Sequence, residues 1–388
     1  MAKVLVVGGG FAGVEAAIFL RKKNQDVTLL SDREYMYIYP TSIWVPVGIT
    51  DFDDICIPMS ELSSVHGFEY IKDSVKKIQA KEMKITGENG VYEGYDYIVI
   101  AVGTSKMKHK GSENFISICG KPEESIELKE AIDKVVEKRV GKIAMGFGGN
   151  PHDSSAVRGG PAFEVLFNVH NMLKKKGIRN SVELTFFAPM EKPGAKMGEN
   201  ALKMMDVFFD KLNINKRVGT KIKEFTKEGV LFEDDSKLEA DVVMFIPAGS
   251  GHDFVIDSDL PVSEAGFVKT NDFSQVEGFE NIFAVGDVAE LVGPDWRAKQ
   301  GHVAEVMARN TANNITVLEG GEGEMQGYKH HLNILCVMDS GDGAAFVYRD
   351  DKRGMMIPMP FVGHWLKRGW GAYCYNSKLG KIPRIPGM

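Results

Sequence analysis

Short apolar runs, each closed by glycine, proline or an acid, alternate with amphipathic stretches along the chain. The runs are Val4 to Val7, "DVTLL" (26–30), "YIVIAVG" (97–103), "KIAMGF" (142–147), "VELTFFAP" (182–189), "NIFAVGD" (281–287) and "ILCVMD" (334–339). Runs this short and this apolar read as strands buried on both faces, as in a parallel sheet. Phe11 to Lys23 and "AFEVLFNVHNML" (162–173) instead space their apolar residues as one face of a helix. A strand, a glycine-rich loop and a helix occur in that order twice. The pattern predicts an α/β protein of two Rossmann-like, dinucleotide-binding-type domains.

The two glycine-rich loops differ. Gly8, Gly10 and Gly13 fit G-x-G-x-x-G between an apolar strand and a helix. Gly8 allows the tight turn, Gly10 lets a pyrophosphate approach the backbone, and Gly13 lets helix and strand pack closely. An anion would rest on the free N–H groups of the helix start. Asp32, just after the second strand, is the acid available for a ribose hydroxyl. The second loop, "GGNPHDSSAVRGGPAFE" (148–164), is too long to present one helix start to a pyrophosphate, and "VELTFFAP" ends without an acid. NADH is therefore disfavoured at the second loop.

Composition narrows the picture. With 388 residues and 44% hydrophobic content the chain can build two or three cores. A net charge of -6 gives no general attraction to nucleic acid. Cys56, Cys119, Cys336 and Cys374 form no CxxC pair, so neither a zinc site nor a disulfide scaffold is expected. His152, Asp153, His330 and His331 have no metal-ligand spacing. No export signal and no membrane-spanning run is recognised. The charge is uneven, however: Lys352 to Met388 holds no acid, seven Lys or Arg, and Trp365, Trp370, Tyr373 and Tyr375. An amphipathic helix lying in a membrane surface is one reading of this tail. A packing or dimer segment with a solvated basic edge is the other. Gly363, Gly369 and Gly371 weaken a helix here.

"YDYIVIAVGTSK" (95–106), with Gly103 and Thr104, and "ENIFAVGDVAEL" (280–291), with Gly286 and Asp287, resemble the later fingerprints of two-dinucleotide-binding-domain flavoproteins. That resemblance implies FAD at the first loop, with Asp287 on its ribityl chain. "VTLLSDREYMYIYPTSIWVPVG" (27–48), "FISICG", "RGGPAFE", "RAKQGHVAEVMARNTANNI" and "ILCVMDSGDGAAFVY" sharpen it. In order and content they are similar to sulfide:quinone oxidoreductases and flavocytochrome c sulfide dehydrogenases. The resemblance implies an FAD-binding domain split over 1–106 and 250–320, and a second domain at 107–249. Residues 321–388 would carry a redox strand and a membrane-facing tail. Arg33, Pro40, Thr41, Val75, Cys119 and Lys299 join the glycines, Asp32, Thr104 and Asp287 as expected cofactor contacts.

It further implies electron transfer from a reduced sulfur species through FAD to a quinone, by a peripheral membrane protein otherwise cytoplasmic. Such enzymes use two cysteines beside the flavin. Cys336 matches one, and Arg158 stands where the other belongs, so no intramolecular disulfide is expected there. Arg158 either favours a Cys336 thiolate or an anionic substrate, or simply pairs with a carboxylate. Cys336 is a nucleophile or a buried small side chain. Glu164 is a proton carrier or a first-turn acid, and Lys299 a flavin-site or quinone-site cation or a solvated helix start. A type II NADH dehydrogenase and a flavin-binding partner subunit remain as alternatives, and self-association stays open.

Overall fold

The computed structural model describes residues 1–384. Residues 385–388, the end of the tail, lie outside it. The chain opens with β1 (Lys3–Val7), α1 (Phe11–Lys22), β2 (Asp26–Ser31), β3 (Glu69–Lys72) and β4 (Tyr97–Ile100). It continues through α2 (Glu124–Lys138), β5 (Gly141–Phe147), α3 (Gly160–Lys175), β6 (Val182–Ala188), β7 (Asn215–Val218) and β8 (Val242–Ile246). β9 (Ile282–Ala284) and α4 (Gly301–Leu318) follow. Then come β10 (Ile334–Asp339), β11 (Gly343–Arg349), β12 (Gly354–Pro360) and α5 (Val362–Lys378).

Two parallel sheets organise these elements. The first has the order β9-β4-β1-β2-β3, so the chain returns to it after the second sheet, β7-β6-β5-β8, is complete. Val4 to Val7 are fully buried at the centre of the first sheet. Burying each such side chain stabilises by about 1.5–3 kcal/mol, which is why a continuous apolar run reads so reliably as a central strand. A third, antiparallel sheet, β10-β11-β12, carries Cys336 and is backed by α5.

The tail helix forms despite its glycines. A Cβ on Gly363 would overlap Ala344 and Met359, and one on Gly371 would lie 2.7 Å from Thr41 Cγ2. These positions are glycine because α5 lies close against the third sheet and against the segment after β2. The propensity cost near 1 kcal/mol per glycine is offset by that packing. The 3₁₀ helix Tyr39–Val47 crosses between cores: Ile43 and Trp44 pack with the second sheet and the third, not with the first.

Candidate active site

The first glycine loop has the features of a pyrophosphate cradle. Gly8 sits at φ +115°, open to few residues other than glycine. A Cβ on Gly13 would overlap the Gly8 carbonyl, so helix and strand meet as closely as the motif requires. A Cβ on Gly10 would meet nothing within 4 Å, and no side chain caps α1. The free N–H groups at its start face open space, which fits an anion. Asp32 is exposed after β2, with Arg33 Nε 3.5 Å away. Val75 is partly buried at the edge of this domain's core. These residues fit FAD.

Five further groups gather at the expected flavin end. Pro40 and Thr41 open the 3₁₀ helix, and Thr41 Oγ1 donates to Ile38 O at 2.8 Å. Gly103 turns at φ +70°, and Thr104 packs against Gly249. Burial raises the Cys119 thiol pKa, against the pull of Lys106 and Arg158. Burial, then Arg158, lowers the Lys106 ammonium to about 8. Gly286 turns at φ +72° to present Asp287.

Arg158 reaches this same place. Its guanidinium pairs with Asp287. The loop bearing it is a pinned lid rather than a phosphate turn. Asn150 Nδ2 donates to Gly249 O at 2.8 Å, Lys299 N donates to Ser155 O at 3.1 Å, and Lys196 Nζ donates to Ser154 O. The charges acting on Cys336 are Glu164 and Lys367. Of the two readings given for Arg158, the contact seen is the pairing with a carboxylate, Asp287, and the cation acting on Cys336 is Lys367. Burial, then Glu164, pushes the Cys336 thiol up to about 12, so it rests protonated.

Glu164 is not a first-turn acid at the surface. It lies one turn into α3, is 3% exposed, and pairs with the buried Lys367 of α5. Burial raises its pKa, Lys367 opposes the rise, and the Asp339 N–H donates to its Oε1 at 2.8 Å. Lys299 is likewise no solvated helix start. Burial lowers its amine to about 7, and Nζ lies 3.8 Å from the Phe267 ring centroid, donating to Ala289 O.

Sequence reasoning missed Lys367, His364, Asp339 and Trp44. Asp339 is fully buried at the end of β10 and accepts from Trp44 Nε1 at 2.8 Å and His364 Nδ1 at 2.7 Å. The signal was present: His364 and Lys367 stand three apart on one face of the tail helix, and an acid ends the apolar "ILCVMD". Lys378, also expected at a basic edge, is fully buried against Glu15 of α1 and Glu305 of α4, at 2.5 and 2.6 Å. Phe361, Val362, Trp365 and Leu366 are exposed, so only the first turns of α5 present an apolar face. Among the described residues no His, Cys, Asp or Glu cluster could hold a metal, and all four cysteines are free.

Two Rossmann-type parallel sheets, a cradle fitted to FAD and a thiol-bearing strand define a flavin-dependent oxidoreductase. Residues 2–309 match the family model described as pyridine nucleotide-disulphide oxidoreductase, and the chain belongs to that family. It is 28% identical to the sulfide-quinone reductase of Aquifex aeolicus, over 96% of this chain and 90% of that protein. The solved structure of the Aquifex aeolicus sulfide:quinone oxidoreductase superposes with a TM-score of 0.86 at 26% identity, covering 98% of this chain and 92% of that one. A type II NADH:quinone oxidoreductase of Staphylococcus epidermidis is 22% identical, over 91% of each chain. FAD is the cofactor of this family fold.

Proposed function

We propose that the protein passes electrons from sulfide or a persulfide through FAD to a quinone at a membrane surface. The observation that carries this reading is Cys336, set on β10, whose thiol feels the charges of the buried Glu164–Lys367 pair. The likeness to the Aquifex aeolicus sulfide-quinone reductase along nearly the whole chain supports the same substrates. FAD supplies a two-electron carrier between the sulfur donor and the quinone. The glycine loop and α1 hold its pyrophosphate, Asp32 a ribose hydroxyl and Asp287 the ribityl chain. Cys336 meets the donor sulfur once its proton moves, and Glu164 is the group placed to take that proton. Lys367 holds Glu164 in charge balance. Arg158, tied to Asp287, covers the cofactor and leaves the sulfur chemistry to one thiol.

The second reading is NADH oxidation, favoured only by the NADH:quinone relatives. Against it, a long anchored loop rather than a compact glycine turn joins β5 to α3. The acid nearest the end of β6, Glu191, comes three residues late and is exposed. Anoxic mixing of the purified holoenzyme with sulfide, a persulfide and NADH in separate runs tests both. Sulfide or persulfide is expected to bleach the flavin fast and NADH slowly. Fast bleaching by NADH alone sinks the sulfur reading. With no donor active and FAD intact, the partner-subunit view takes its place.

The exposed start of α5 supports docking to lipid. Phe361 is 77% and Trp365 67% exposed, Arg368 lies beside Trp365, and no helix among the described residues is long and apolar enough to cross a bilayer. Changing Phe361, Trp365 and Leu366 together to Ser is expected to release the protein from anionic vesicles in a flotation assay. Undiminished flotation would remove α5 from the docking surface.

A further inference from the structure

Quinone chemistry needs protons as well as electrons, and one pair of side chains, His364 on α5 and Asp339 on β10, is unused by the reading above. His364 Nδ1 lies 2.7 Å from Asp339 Oδ1. The other carboxylate oxygen, Oδ2, accepts from Trp44 Nε1 at 2.8 Å, Asn168 Nδ2 at 3.1 Å and the Gly341 N–H at 3.1 Å. Four donors converge on a carboxyl group that is fully buried. Each of the four partners is placed to donate and the carboxylate to accept. Nδ1 of His364 is therefore the ring's donor, and Nε2 is left as the atom that exchanges protons.

The position of the ring completes the argument. The His364 side chain is 12% exposed, between the buried Trp44 ring at 5.7 Å and the exposed Trp365 ring at 6.0 Å. It sits one turn from the lipid-facing residues and one turn from Lys367. The charged groups around it are Asp339 on β10 and Glu164 on α3, which accepts from the Asp339 N–H. Lys367 and Arg368 on its own helix are the others, with Asp342 in the turn before β11, whose carbonyl accepts from the Phe361 N–H. Titratable groups thus run from the lip of α5 to the carboxylate beside Cys336.

We propose that His364, oriented by Asp339, relays the solvent proton that quinone reduction consumes. This rests on the quinone reading. The balance is simple: a quinone, the two-electron-reduced flavin anion and one proton give a quinol and oxidised flavin. The flavin anion brings both electrons and one proton, and the second proton comes from solvent through His364 Nε2. Asp339 is a positioning residue that fixes the tautomer.

The test uses the holoenzyme reduced anaerobically with dithionite, then mixed with a short-chain benzoquinone in a stopped-flow cell. His364→Asn keeps a donor where Nδ1 stands, and so keeps the bond to Asp339 and the seat of α5, but has no Nε2. Reoxidation is expected to slow about 100-fold and to lose a titration seen in the wild-type pH profile. Reduction by sulfide should be unchanged. Imidazole added to His364→Ala should restore part of the rate. A wild-type rate and pH profile in His364→Asn overturn the relay alone. So does a slowed His364→Ala that imidazole does not rescue while His364→Asn stays fast, since that is a structural defect. A wild-type flavin that quinone fails to reoxidise overturns the quinone reading and the relay with it.

Discussion

Cys336→Ser is expected to abolish bleaching of the flavin by sulfide, lowering its rate at least about 1000-fold, while FAD stays bound and dithionite still reduces it. The argument is one of numbers of thiols. With Arg158 in place of a second cysteine and drawn off to Asp287, Cys336 is the thiol left beside Glu164. A hydroxyl there is a far poorer nucleophile and cannot carry a sulfane sulfur. The substitution is nearly isosteric in a half-buried strand position, so the fold should tolerate it. A sulfide rate within a few-fold of wild type would take Cys336 out of the mechanism. Arg158→Ala in the same assay should leave the thiol's reactivity in place, because the group acting on Cys336 from the cationic side is Lys367.

The second large effect is on stability. Lys378→Met is expected to destabilise the protein by about 3 kcal/mol, lowering Tm by roughly 4 °C for a chain of this size. Burial opposes the Lys378 charge, but Glu15 and then Glu305 outweigh it and hold its pKa above the ordinary lysine value. Removing the amine leaves two carboxylates, one fully buried, with Arg309 and Arg384 as their cationic partners among the described residues. The sign for pH follows from the raised pKa. The contribution is full below the ordinary lysine range and is lost only as pH rises past the folded value, so the deficit of the variant should persist across neutral pH. Calorimetry checks it, and the double change Glu15→Gln with Lys378→Met should recover part of the loss. An unchanged Tm for Lys378→Met would mean the buried cluster contributes nothing net.

The elements that bind a dinucleotide were legible because their signals are local. Gly8, Gly10 and Gly13 lie within six residues and between apolar strands, and four of the five strands of the first sheet are short apolar runs, the edge strand Glu69–Lys72 being the exception. The pairings that build the site were not legible, because they join residues far apart in sequence. Glu164 meets Lys367 across 203 positions, and Glu15 meets Lys378 across 363. On an amphipathic helix rich in tryptophan, a lysine reads as a cation reaching for lipid. Only the partner carboxylate, on another domain, turns it inward. Two hints stood in plain view: Glu15 inside the apolar "GVEAAIFL", and Asp339 closing "ILCVMD". An acid in an otherwise buried run implies a distant cation or donor, but the run does not say which. For Arg158 the sequence left two readings open, because the carboxylate it pairs with, Asp287, is also far away along the chain.

The rigid seating of α5 makes it an optical gauge. Trp365 projects from the apolar end of the helix while Trp370, a turn and a half along, is partly covered. Indole emission overlaps flavin absorption, so each ring is a built-in energy donor at a fixed separation from the bound cofactor. Vesicles should shift the emission of Trp365 to the blue without altering its quenching by the flavin, since buried ion pairs tie the helix to α1, α3 and α4. Lipid that changed the quenching as well would reveal a helix that slides, and the size of the change would measure how far.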